Sequence, residues 1–209
     1  MDEQHQEIGG GDLSWARADH LLQLFDSDES LAHAVSDFVG EGLASGDTVL
    51  TVIDRQRWNA VAMRLATGAA DIDAASRVGQ LVVRDAAETL GLFMRKRRPD
   101  ADQFQTVVGG LVREMARRRS RIRIYAEMVD ILASQGNFGA AQAVEEMWNQ
   151  LAENIPFTLF CGYSSADFGD PRSADALRRI CQTHSGVRTN PDDALGSFLL
   201  AAHQGSAAH

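Results

Sequence analysis

The sequence predicts an α/β protein, a three-layer α/β/α arrangement around a mostly parallel central sheet, and three observations predict it. Short β-branched or apolar runs recur along the chain at Thr48–Ile53 (TVLTVI), Leu81–Arg84 (LVVR), Arg121–Tyr125 (RIRIY) and Phe157–Tyr163 (FTLFCGY). Amphipathic stretches of helical period separate them, which is the signature of βαβ units. TVLTVI has no charged residue. It reads as a strand covered on both faces, and that requires helices on both sides of the sheet.

Taken in order, residues 1–18, with the triple glycine Gly9–Gly11, read as a flexible leader. His20–Asp26 (HLLQLFD) is a short apolar strand. Asp26 and Glu29 stand three apart and predict a capping box for the next helix. That helix repeats apolar residues at Leu31, Ala34, Val35, Phe38, Val39 and Leu43, and Gly46-Asp47 ends it before TVLTVI. Arg55 to about Leu65 and Ala86 to about Met94 are helical on either side of LVVR. Asp100 with Gln103 caps a helix that runs to about Arg119, and RIRIY follows. Helices at about Met128–Ser134 and Phe138–Glu153 precede FTLFCGY. Asp170-Pro171 opens the last packed helix, to His184, because proline suits the first helical position. Residues 189–209 read as a tail in which Asp192–His203 has the pattern of a short helix. With no repeat and no internal linker, 19–188 is one domain.

At 209 residues and 22.7 kDa the chain can bury a sizeable core without disulfides or metal. Hydrophobic residues at 44% and charged residues at 23% exclude wholesale disorder. No apolar run approaches the roughly 18 residues of a membrane span, and the acidic N-terminus has no secretory pattern. Two cysteines, Cys161 and Cys181, fit a reducing compartment, so a cytoplasmic location is expected. The net charge of −9 hides a polarity: Arg95 to Arg123 holds ten basic and three acidic residues, a local +7, which leaves −9 − 7 = −16 elsewhere. An acidic body argues against direct nucleic-acid binding.

A phosphate-binding loop needs glycines and a lysine between a strand and its helix, so that backbone amides can cradle phosphates. The residues after TVLTVI are Asp54-Arg55-Gln56-Arg57-Trp58, and those after FTLFCGY are Ser164-Ser165-Ala166-Asp167, so neither qualifies. Gly40-x-Gly42 lies within a helix, the wrong context for a dinucleotide fingerprint, and no G-x-S-x-G elbow exists. No cofactor is expected. Asp26, Asp54, Asp85 and Glu127 each follow a predicted strand, at the edge where open α/β sheets bind ligands. Helix capping is the leading explanation for Asp26 and Asp54. Glutamate caps poorly, so Glu127 is the stronger site candidate. His20, Cys161 and Cys181-x-x-His184 contain metal-ligating types without paired close spacing. Both cysteines read as core residues, and no metal is expected. Trp148 belongs to the stripe Ala140, Val144, Met147, Leu151, so packing explains it first. Arg95, Lys96, Arg97 and Arg98, with Arg117, Arg118 and Arg119, bracket one helix and are a candidate docking surface for an acidic partner.

One ordered series of segments carries a resemblance. His20 with LLQLFDSDESLAHAVSDFVGEGLASGDTVLTVI comes first, then GQLVVRDAAETLGLFM, RIYAEMVDIL, Glu145-Glu146-x-Trp148-Asn149, PFTLFCGYS and Ile180-Cys181-x-x-His184-Ser185. Together they resemble the MEDS family, the methanogen/methylotroph and dichloromethane-regulator sensory domain, over about residues 19–188. The resemblance implies a RecA/KaiC-like fold without the nucleotide-binding loop, and a non-catalytic signal-input module sensing small molecules such as simple carbon compounds. It also implies that His20, Glu127, Trp148, Asn149, Tyr163, Cys181 and His184 stand at the family's characteristic positions, as candidates only.

The expected function is therefore a sensory domain of ligand binding, signal transduction and transcription regulation. The ligand site is expected at the strand-end crevice, anchored by His20 and Glu127 with Asp54 and Asp85 on the rim and Trp148, Asn149, Tyr163 and His184 nearby. With no effector domain appended, output is expected through a signalling protein in trans (a histidine kinase, an anti-sigma factor or a transcription regulator) or through a homodimer. The alternatives are a pure interaction module docking through the arginine-bracketed helix, and a residual enzyme with Glu127 as general base.

Overall fold

A computed structural model describes residues 20–68, 70–118, 120–170 and 173–188. The chain runs β1 (His20–Phe25), α1 (Asp28–Ala44), β2 (Thr48–Ile53), α2 (Arg55–Thr67), α3 (Ile72–Arg77), β3 (Leu81–Asp85), α4 (Ala86–Phe93) and a small hairpin, β4 (Met94–Arg95) with β5 (Arg98–Pro99). It continues through α5 (Ala101–Ala116), β6 (Ile122–Ala126), α6 (Met128–Ser134), α7 (Phe138–Ala152), β7 (Thr158–Ser164), a 3₁₀ turn at Ser165–Phe168, α8 (Ala174–Gln182) and β8 (Gly186–Arg188). Six strands, all parallel, form one sheet in the order β3-β2-β6-β7-β1-β8. This is the predicted three-layer α/β fold.

The alternation of side chains across each strand builds two cores. On one face Leu22, Leu24, Leu50, Val52, Ile122, Ile124, Leu159 and Cys161 pack with buried residues of α4 to α8. On the other, Phe25, Val49, Ile53, Tyr125 and Phe160 pack with α1, α2 and Ala75 of α3. TVLTVI is buried at every position, as a central strand of such a sheet must be.

Aspartates set four of the eight described α-helix starts, those of α2 to α5. Asp54 accepts from the Gln56 and Arg57 amides, Asp85 from Glu88, and Asp100 from Gln103. The α1 cap differs from the sequence expectation: Ser27 accepts from the Ser30 amide, while Asp26 takes only the Ser30 hydroxyl. Serine reaches its own N3 amide from the extended backbone at Ser27, so the adjacent aspartate is displaced from that role. The last helix begins at Ala174, later than the expected Asp170-Pro171. Pro171, Arg119 and the expected leader, tail and 192–203 helix lie outside the described residues. The sequence reading passes over α3, the β4–β5 hairpin and β8, each too short to show a period.

At the N-terminal end of β6, Arg123 is buried and donates from Nε to Asp47 Oδ2 at 2.8 Å. Asp47, 2% exposed, also accepts from Arg121 at 2.9 Å. The Arg123 guanidinium lies over the Phe38 ring, 5.5 Å from its centre, so α1 is tied to the sheet by charge as well as by packing. Asp47→Ala leaves a buried guanidinium short of its partner and should cost about 3 kcal/mol in urea unfolding, with Asp47→Ala/Arg123→Met recovering much of the loss. An unchanged midpoint for the single variant would show that the pair is energetically idle.

Candidate functional site

Two buried polar centres lie on opposite faces of the sheet. The first gathers at the C-terminal edge, where β2 and β6 end. Glu127 is 1% exposed and occupies the first position before α6 without capping it. One of its oxygens accepts from the Asp54 amide, and the other accepts from the Tyr125 hydroxyl at 3.1 Å. Arg57 of α2 reaches Asp130 at 2.8 Å, Asp28 at 3.0 Å and Glu127 at 3.4 Å. Asp130 in turn accepts from the Ser164 amide at 2.7 Å. Burial pushes Glu127 up to about 7, against the opposing pull of Arg57 and the Asp54 amide. Every strong donor here is already engaged, so the cluster ties β2, β6, β7 and α2 together where the strands end.

The second centre lies on the other face, under α7 and α8. The period of β1 puts His20 on the same face as Leu22 and Leu24. Cys161 of the neighbouring β7 projects to that face too. Glu145 and Asn149, one helical turn apart on α7, face the same point. His184 comes from the turn between α8 and β8, and Ser185 fastens that turn by exchanging hydrogen bonds with the His20 backbone at 2.9 and 3.0 Å.

The contacts are short. His20 Nε2 lies 3.1 Å from Glu145 Oε2 and 3.4 Å from Cys161 Sγ. Cys161 Sγ lies 3.3 Å from Glu145 Oε2, and the Tyr163 hydroxyl donates to Glu145 Oε1 at 2.7 Å. His184 Nε2 lies 3.3 Å from Glu145 Oε1 but off hydrogen-bond alignment, and it has no hydrogen-bond partner among the described residues. The two imidazole centres are 4.0 Å apart. Burial alone would raise the Glu145 carboxyl, yet His184 and His20 together hold it well below the usual carboxylate range. Burial first, then the Glu145 charge, pushes Cys161 and Tyr163 up, so both keep their protons. Donor atoms of His20, Glu145, Cys161 and His184 all lie within 4.8 Å of one another.

A pocket of about 290 Å³ opens beside this centre. Ala152, Phe157 and Leu159 form its apolar wall, and His20, Asn149 and His184 its polar side. Trp148 borders it while making edge-on contacts with Phe104 at 5.2 Å and Phe157 at 5.9 Å, so its core role and its place beside the pocket coexist.

The sequence profile of the MEDS domain (MEthanogen/methylotroph, DcmR Sensory domain) matches residues 19–185. The chain belongs to the MEDS family. It is thus a sensory-type domain, and among its described residues no helix is long and apolar enough to cross a membrane. No curated protein matches the chain.

The MEDS domain here distributes the sequence-selected residues unevenly. His20, Trp148, Asn149, Tyr163 and His184 come together, whereas Glu127 and Asp54 belong to the opposite face and Asp85 caps α4. His20 and Glu127 therefore share no crevice. Glu145 and Cys161 complete the buried centre; Glu145 was legible only as part of a helix face, since nothing in its spacing pairs it with His20. Cys181 stays outside the cluster, with burial pushing its thiol up to about 11. The basic residues divide as well. Arg95, Lys96, Arg97 and Arg98 are exposed on the hairpin, while Arg117 and Arg118 lie at the other end of the 16-residue α5, about 24 Å away.

The raised Glu127 has a definite sign. The folded chain holds a proton that the unfolded chain has released above its ordinary 4.5, so stability falls as pH rises from about 4.5 to about 7 and is flat beyond. Glu127→Gln should remove on the order of 3 kcal/mol of that slope, measured by urea unfolding at a series of pH values across the window. A slope identical to the wild type would mean that Glu127 is ionised throughout.

Proposed function

We propose that this MEDS domain is a cytoplasmic, non-catalytic sensor that admits a small molecule to the pocket beside the His20–His184 pair and passes the change to a signalling protein in trans. The single observation that carries the reading is a pocket whose polar side is made by residues joined directly to a buried charge. Its volume of about 290 Å³ lies at the lower limit of the roughly 300–1,000 Å³ usual for drug-sized ligands, which favours compounds of few heavy atoms. Apolar walls with a few convergent polar groups suit a short carbon skeleton bearing one hydrogen-bonding function. Output is favoured through the α8–β8 edge: β8 has three residues, pairs among the described residues only with β1, and follows the turn that carries His184. A ligand that displaces His184 therefore acts on the least anchored strand of the sheet. The histidine kinase, anti-sigma factor or transcription regulator implied by the family's setting is the class of recipient.

A thermal-shift panel of short-chain alcohols, aldehydes, amines and haloalkanes tests the pocket. A true ligand at a hundredfold excess over its Kd should add about 2.7 kcal/mol to stability. Ala152→Phe, which fills the wall, should remove the shift. No shift across the panel, or one that survives Ala152→Phe, would rule out this pocket.

The interaction-module reading is favoured by one feature of its own. The β4–β5 hairpin projects four exposed basic residues, and Asn137 Nδ2 holds its tip by donating to the Arg97 carbonyl at 2.9 Å. A held basic protrusion suits an acidic protein surface. Arg95→Glu with Arg98→Glu should abolish partner binding and its salt dependence while leaving the pocket's thermal shifts intact. Partner affinity unchanged by the reversal would eliminate the hairpin as the docking face.

A further inference from the structure

We propose that His20, Glu145, Cys161 and His184 are the ligand set of a divalent transition-metal site, and that zinc is the ion their donors suit best. The four donor atoms come from β1, α7, β7 and the α8–β8 turn and lie within 4.8 Å of one another. Their nearest separations are 3.1, 3.3, 3.3 and 3.4 Å. Bonds of about 2.0–2.3 Å in a tetrahedron set neighbouring ligands roughly 3.3–3.8 Å apart, so the ion needs adjustments of the order of an ångström in side chains already in place.

The direction of the surrounding hydrogen bonds is the stronger argument. Asn149 Nδ2 donates to the Thr183 carbonyl at 2.8 Å, which turns its Oδ1 toward His20. His20 Nδ1 must then be the donor across their 2.8 Å contact, so in the neutral imidazole Nε2 points a lone pair at Glu145 and Cys161. His184 repeats the arrangement: Nδ1 donates to the Ile180 carbonyl at 2.7 Å, so Nε2 of the neutral ring carries the lone pair. That Nε2 is buried, has no hydrogen-bond partner among the described residues and faces Glu145 Oε1. A neutral imidazole at either position turns that lone pair toward the carboxylate, and the repulsion is relieved by a proton on the ring or by a cation between them. Metal-ligating histidines characteristically donate their other ring N–H to a carbonyl or similar acceptor, as both do here. Tyr163 donates to Glu145 Oε1 and steadies the carboxylate from outside the set.

Charge and softness select the ion. One carboxylate and one thiolate neutralise a dication, and the two imidazoles stay neutral, so the loaded centre adds no net charge to the core. Binding releases the Cys161 thiol proton to water. Nitrogen and sulfur donors disfavour magnesium and calcium, and a four-ligand N₂OS set is within the range of zinc. The pocket beside His20 and His184 supplies access. None of this depends on an organic ligand, because the metal site is defined by its own four side chains.

The test uses the full chain, purified from zinc-supplemented culture, with metal measured by elemental mass spectrometry, then stripped and titrated with Co²⁺. About one ion per chain is expected, together with a visible cobalt spectrum carrying a thiolate charge-transfer band. Cys161→Ser should abolish that band and Cys181→Ser should keep it. Asn149→Leu, which removes the support behind His20, should weaken cobalt affinity about 10–100-fold. A wild-type chain that neither retains metal nor develops the cobalt spectrum overturns the site without reference to any variant. A band that survives Cys161→Ser and is lost in Cys181→Ser overturns it too.

Discussion

Glu145 is a carboxylate with no exposure to water, and the half of the sheet that carries β7, β1 and β8 is arranged around that fact. An ionised group in such a place is tolerated only where partners replace its hydration. Here the partners are drawn from every neighbouring element: His20 from β1, Cys161 and Tyr163 from β7, and His184 from the end of α8. Each brings a structural consequence. His20 is held in register by Ser185, which pairs β8 to the sheet; Asn149 orients His20 and anchors the Thr183 turn; Tyr163 fixes the depth of the strand beneath α7. The packing of α7 and α8 on this face is thus set by polar requirements as much as by the apolar stripe of Val144, Trp148, Leu151, Leu177 and Ile180.

What was legible in the sequence follows from what repeats. TVLTVI, RIRIY and FTLFCGY announce strands because β-branched and aromatic residues dominate them, as strands buried between two helical layers favour. The Asp-led starts of α2, α4 and α5 are legible because a cap acts on amides two or three residues away. The buried centre is different. Glu145 and Cys161 lie 125 and 141 positions from His20, and His184 lies farther still along the chain, in pairings made only by the strand order, which places β1 between β7 and β8. No local period encodes that order, so each residue taken alone reads as core. The same limit explains why Glu127 and His20 looked like partners: both are polar residues at strand ends, but opposite ends and opposite faces.

The two buried acids also differ in what balances them, and that difference separates scaffold from sensor. Glu127 and Asp130 are answered by Arg57, a guanidinium that keeps its charge at every accessible pH and forms directional contacts to three carboxylates. Such a centre is held by a cation that does not titrate, and it pins the strand ends. Glu145 is answered by two imidazoles and a thiol, side-chain types that bind a metal ion as well as a proton. That centre borders the pocket, whereas the arginine-balanced one has its hydrogen-bonding groups already spent within the protein. A signal-input domain needs an element with more than one arrangement of comparable energy. In this chain the side of the sheet able to supply it is the one where a buried charge depends on histidine, beside the short strand that has the fewest bonds to lose.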